Sequence, residues 1–227
     1  MKKGQLSRLL LLFISVVAMT ITISNCGDDS TNDGTGTGSG DWLPMNLGCS
    51  WTFKGKYTDS FNNVTTITQK YEIVGDTTTG DGLNYKELDL NQTYNVKGLS
   101  VDTTWTTYER QYLYKDSQFY SSGVQMLGGL EWTKVLKLPV TVGDKWQPDD
   151  SDSLSMAETL ALESVTCDSI GKTFSSCAKV LNYRVNEGDT TYVKKYLWFS
   201  QGNGIVKMSV ESGTTKFDLD LIGYTIK

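Results

Sequence analysis

The chain of 227 residues contains no histidine. That removes Ser-His-Asp and Cys-His nucleophilic catalysis and every imidazole-based zinc or iron site. Positive charge is in short supply, with 21 Lys+Arg against 26 Asp+Glu and a net charge of −5. A chain without a basic stripe has nothing to track a phosphate backbone, so no nucleic-acid partner is expected. Proline is scarce at three residues, and no Pro/Ser-rich linker divides the chain after its first forty residues. No hydrophobic run reaches the about 20 residues of a transmembrane helix: residues 9–24 are interrupted by Ser15, Thr20 and Thr22. Helix signals are few, and no motif calls for a cofactor or a metal.

What the amino terminus does contain is ordered. Lys2, Lys3 and Arg8 precede the apolar run, the layout of a secretory signal peptide. Ile23-Ser24-Asn25-Cys26 resembles a bacterial lipobox, with Asn25 in place of the usual Gly or Ala. The resemblance implies a signal peptide over 1–25 and a lipid-modified Cys26. Stable attachment then takes two or more acyl chains, since one is marginal. Residues 27–41 include no aliphatic or aromatic residue, so 26–41 reads as a flexible tether with a reach of roughly 20 Å. Cys26-Gly27-Asp28-Asp29-Ser30 resembles the acidic signal that routes some Bacteroidota lipoproteins to the cell surface, and two acids that merely solubilise the tether fit equally well. The expected location is the bacterial cell envelope, at the outer membrane, on its periplasmic or exposed side. Loss of 1–25 takes away three positive charges and no negative one, leaving 18 against 26 and a net of −8.

In an oxidising compartment Cys49, Cys167 and Cys177 remain. The leading expectation is a Cys167–Cys177 disulfide across the turn at 168–172, with Cys49 as a buried thiol. A bridge from Cys49 to either of the others competes with it.

From Trp42 onward β-branched and aromatic runs are broken by Gly, Asp and Asn every eight to twelve residues. Strands are predicted at 50–57, 64–74, 83–90, 105–114, 132–138, 174–186, 191–199, 205–212 and 215–225, with 155–167 read as a further strand. The expectation is one domain over 42–227 with an all-β fold: a single antiparallel, strongly curved sheet or open half-barrel with little helix.

One internal echo is clear. Leu43-Pro44-Met45-Asn46-Leu47-Gly48-Cys49-Ser50-Trp51 and Leu138-Pro139-Val140-Thr141-Val142-Gly143-Asp144-Lys145-Trp146 both read L-P-x-x-[LV]-G-x-x-W, and they hold two of the three prolines. The physical reading is an extended segment fixed by Pro, a turn at Gly and a Trp that opens a strand as a core anchor. The functional reading makes Trp51 and Trp146 walls of an apolar or carbohydrate site. Core is favoured.

With this repeat the sequence resembles a group of uncharacterised exported bacterial lipoproteins. Gly171-Lys172-Thr173-Phe174 looks like that group's turn before a strand, and Gly202-Asn203-Gly204-Ile205-Val206-Lys207 like its hairpin near the carboxyl end. The group looks distantly similar to the LolA/LolB-like carriers, which implies a β half-barrel around an apolar cavity. The function so implied is a non-enzymatic envelope lipoprotein, anchored to the membrane by lipid, that binds an apolar ligand, a glycan or an envelope protein. The alternatives are a structural or adhesion role, and a hydrolase built on paired carboxylates. Asp149-Asp150-Ser151-Asp152 lacks EF-hand spacing and reads as a solvated loop.

Overall fold

The structure, a computed structural model, describes residues 41–59, 62–78, 82–99, 101–127, 129–184, 193–213 and 215–227. The expected signal peptide, Cys26 and the tether up to residue 40 lie outside them. Twelve strands follow one another: β1 (Ser50–Thr58), β2 (Val64–Thr78), β3 (Asn84–Gly98), β4 (Val101–Lys115), β5 (Phe119–Met126), β6 (Gly129–Lys137), β7 (Lys145–Trp146), β8 (Ser155–Cys167), β9 (Lys172–Arg184), β10 (Val193–Ser200), β11 (Gly204–Ser212) and β12 (Thr215–Thr225). A single turn of 3-10 helix, Asp168–Ile170, joins β8 to β9.

The sheet order is β6-β5-β4-β3-β2-β1-β12-β11-β10-β9-β8-β7, with antiparallel pairing throughout. The first and last strands therefore meet at the middle of the sheet. Its two ends, β6 and β7, are consecutive in sequence. The sheet curls until they nearly meet, so the expected single, strongly curved antiparallel sheet is present and closes further than a half-barrel. The predicted strand at 155–167 is β8 in full. The pattern misses β5, where Ser121-Ser122-Gly123 mimics a turn, and β7, which is two residues long.

Alternation fixes which face turns inward. In β2 the residues Thr65, Ile67, Gln69, Tyr71 and Ile73 are buried and their neighbours are not, and Phe217, Leu219 and Leu221 do the same in β12. Twelve strands enclose a wide interior, and large side chains occupy it: Trp51, Phe53, Tyr71, Tyr94, Tyr120 and Phe199 are all buried. Within it Gln69 Nε2 donates to Gln92 Oε1 at 2.8 Å, Tyr94 OH to the same oxygen at 2.7 Å, and Tyr71 OH to Gln69 Oε1 at 3.2 Å. This polar layer is satisfied by its own members, as a buried network must be.

The sequence echo is a structural repeat. Gly48 N–H donates to the Ile73 carbonyl at 2.8 Å, Ile73 N–H to Cys49 at 2.9 Å and Cys49 N–H to Asn46 at 3.1 Å. Gly143, Thr159, Asp144 and Thr141 reproduce all three bonds, at 2.8, 3.0 and 3.2 Å. Both glycines hold positive φ, 84° and 89°, a region that L side chains rarely adopt. Each motif thus opens one six-stranded half, β1–β6 or β7–β12.

The disulfide expectation is corrected. Cys167 and Cys177 are free buried thiols, as is Cys49. The register pairs Cys167 with Lys172 and Cys177 with Glu163, so the two cysteines are staggered along the hairpin rather than opposed. A cross-strand bridge needs close, facing Cβ atoms. The turn closes with Cys167 opposite Lys172, so Cys177 lies five residues farther along β9 than the residue that faces Cys167.

Candidate functional site on the outer face

The two repeat tryptophans are anchors. Trp51 is fully buried and donates its indole N–H to the Asn203 carbonyl at 2.7 Å. The turn beneath it needs Gly204, at φ 83°, because a Cβ there would lie 2.9 Å from the indole nitrogen. Trp146 is buried and donates to the Lys134 carbonyl at 2.9 Å. With rings packed in the core and their N–H groups satisfied, neither forms the wall of an open site, which corrects that reading of Trp51 and Trp146.

The aromatic surface lies elsewhere, on the outward side of β3–β6. Because Leu113 and Gln111 point inward, Tyr108, Arg110, Tyr112 and Tyr114 form one outward column on β4. Across the ladder, Glu87 stands opposite Tyr112 and Asp89 opposite Arg110. Trp132 of β6 reaches the same surface over Gly123, where a Cβ would come within 2.9 Å of the indole. Tyr85 meets Trp132 edge to face at 5.8 Å and Tyr112 at 5.3 Å, while Tyr114 lies 6.0 Å from Trp132. These contacts hold the rings in place before any ligand arrives. Tyr112, Tyr114 and Trp132 remain partly open to solvent.

Polar groups border this strip. Arg110 Nε donates to Asp89 Oδ1 at 2.5 Å, its Nη1 donates to Glu87, and Tyr108 OH donates to Asp89 Oδ1 at 2.7 Å. The bond to Asp89 raises the pKa of Tyr108. The result is a fixed row of aromatic rings beside a planar cation and two carboxylates, an arrangement that offers stacking faces together with donors and acceptors.

A second aromatic pair sits on β10 in the other half. Trp198 Nε1 donates to Glu163 at 2.6 Å, Tyr196 OH to Glu211 at 3.2 Å, and Lys179 Nζ lies 5.1 Å from the Trp198 ring centre. The bond from Trp198 lowers the pKa of Glu163. A groove of about 620 Å³ runs along the outer face of β1 and β12, bordered by Lys54, Lys56, Thr66, Lys216, Asp218 and Asp220. Its acids are paired, Asp220 with Lys207 at 3.1 Å and Asp218 with Lys216 at 3.5 Å. Among the described residues no cluster of three or more Cys, Asp or Glu is placed to hold a metal ion.

Sequence reasoning passed over the β3–β6 strip. The alternation of aromatic residues along β4 was visible, but only the ladder reveals that this parity faces outward, and Trp132 joins it through β5, a strand the pattern misses.

The chain matches no known family and no curated protein. Two solved structures resemble it in fold. One is a candidate lipoprotein from Parabacteroides distasonis, 15% identical, with a TM-score of 0.44 over 82% of this chain and 99% of that one. The other is a candidate exported protein with a YmcC-like fold from Bacteroides fragilis, 13% identical, with a TM-score of 0.47 and the same coverage.

Proposed function

We propose that this is a non-catalytic, lipid-anchored protein of the bacterial cell envelope that binds a glycan on the outer face of β3–β6. The lipobox-like Cys26 and the tether supply the anchor in this reading. The observation that carries the ligand class is the outward strip of Tyr85, Tyr112, Tyr114 and Trp132 beside Arg110, Glu87 and Asp89. A sugar ring presents C–H groups to an aromatic face, whose negative quadrupole attracts them, and presents hydroxyls to neighbouring charged groups. A packed interior argues against the carrier alternative, because large buried side chains fill the space an apolar ligand would take.

Native mass spectrometry of the full chain isolated from its own membrane tests both parts. Acylation at Cys26 with a co-purifying mass built of sugar units is the expected result. An unacylated chain contradicts the anchor, and a lipid in place of a sugar contradicts the ligand class.

A further inference from the structure

The β3–β4 hairpin projects beyond the rest of the sheet. β4 pairs with β3 from Val101 opposite Gly98 to Leu113 opposite Lys86. Its other side pairs with β5 only from Gln111 to Lys115. Residues 101–110 therefore present an open edge, and among the described residues no strand lies against it. At about 3.4 Å per residue that edge is roughly 34 Å long.

The edge is stiff, and between Asp102 at one end and Glu109 and Arg110 at the other its centre is undefended. Thr93 and Thr106 share a hydroxyl hydrogen bond at 3.2 Å, Asn95 donates to Thr104 at 2.6 Å, and Tyr94 stacks on Trp105 at 5.1 Å, so β3 fixes the strand in extended form. Exposed edges usually carry Lys, Pro or a bulge that discourages pairing. Thr103-Thr104-Trp105-Thr106-Thr107 has no charge and no proline, its β3 register runs without a bulge, and its Thr and Trp residues favour strand pairing.

We infer that this edge is a homodimer interface, in which β4 pairs antiparallel with β4 of a second copy about a two-fold axis at Trp105. The segment reads nearly the same from either end, Thr-Thr-Trp-Thr-Thr, as a self-complementary interface requires. In this register Trp105 faces its own copy, Thr104 faces Thr106, and Thr103 faces Thr107. Asp102 comes opposite Tyr108 and diagonal to Arg110, which brings unlike charges together on the outward face. Pairing would join two sheets into one continuous ladder and remove the open edge from both.

Sedimentation of the full chain tests this, and single-cysteine trapping tests the register. Cys49, Cys167 and Cys177 are buried and provide little background, and Cys26 is replaced by Ser in each trapping variant. The wild type is expected at the dimer mass. The double variant T104K/T106K, which sets lysine against lysine across the axis, is expected to shift to the monomer mass with an unchanged β-sheet circular dichroism spectrum. W105C is expected to form a disulfide-linked dimer on mild oxidation, whereas V101C, opposite residue 109, is not. A monomeric wild type, or a dimer that persists in T104K/T106K, overturns the inference. Cross-linking of V101C in preference to W105C overturns the register even if the dimer stands. Each readout is independent of glycan binding.

Discussion

Trp146 donates its indole N–H to the main-chain carbonyl of Lys134 at 2.9 Å, and this bond ties the first strand of the second half to the last strand of the first. Lys134 is the clasp of the seam. Its N–H donates to the Pro148 carbonyl at 2.8 Å, and its ammonium reaches Asp150 at 2.6 and 2.7 Å and lies 5.4 Å from the Phe119 ring centre. Among the described residues β6 and β7 share no ladder, so the seam rests on a handful of groups, most of them on Lys134, with Lys137 paired to Asp144 at 3.1 Å.

Truncation at that seam should be costly in two separable steps. Trp146→Phe keeps an aromatic ring but strands a carbonyl, a loss of about 1–2 kcal/mol. Trp146→Ala also leaves a cavity and should lose about 3–5 kcal/mol. Urea unfolding followed by circular dichroism measures both, and equal losses would assign the whole effect to the hydrogen bond rather than to packing.

The buried glutamine layer predicts an asymmetry. Gln92 Oε1 accepts from both Gln69 and Tyr94, so Gln92→Leu leaves two buried donors without that partner and should cost about 2–4 kcal/mol. The pair of changes Gln69→Leu and Gln92→Leu should cost less than the sum of the single changes, because it removes partners together. A double-mutant cycle in urea decides, and strict additivity would show that the two amides act independently.

Lys195 gives the fold a pH dependence. Burial lowers its pKa from 10.5 to about 7. Between those values the unfolded chain holds a proton that the folded chain does not, so stability rises with pH across the window. Below it both states are protonated and the cost of the buried charge stands in full. Lys195→Met should flatten the rise and raise the stability on the acidic side. Unfolding midpoints at both ends of the window provide the test, and a midpoint that falls with pH in the wild type would contradict it.

The thiols should be silent in the folded protein. Burial raises the pKa of Cys167 and pushes that of Cys177 up to about 12, so neither presents a thiolate at neutral pH. Alkylation with mass readout should leave Cys49, Cys167 and Cys177 unmodified in buffer and label all three in urea without reductant. Failure of Cys167 and Cys177 to label in urea would restore the disulfide.

Period-two alternation made most of the wall readable, since strands such as β2 and β12 have one buried and one wet face. The L-P-x-x-[LV]-G-x-x-W echo was readable because a positive-φ glycine and a buried tryptophan leave few residue choices. The seam was not, because nothing local to Lys134 announces that Trp146 and Pro148 will meet its main chain. The cysteine pairing failed for a related reason: the β8–β9 turn closes at Cys167 and Lys172, which leaves Cys177 beside Glu163, and the spacing of two cysteines does not show where a turn between them closes. The outward strip needed two facts beyond the sequence, the facing of β4 and the passage of Trp132 over Gly123.

The central claim, glycan recognition on the outer face of β3–β6, is tested most directly by calorimetric titration of the full chain and of Trp132→Ala with envelope-derived oligosaccharides. Saturable binding by the wild type, weakened at least tenfold in Trp132→Ala, about 1.4 kcal/mol, with an unchanged circular dichroism spectrum, is the predicted result. Equal binding by both proteins, or binding by neither, would contradict it.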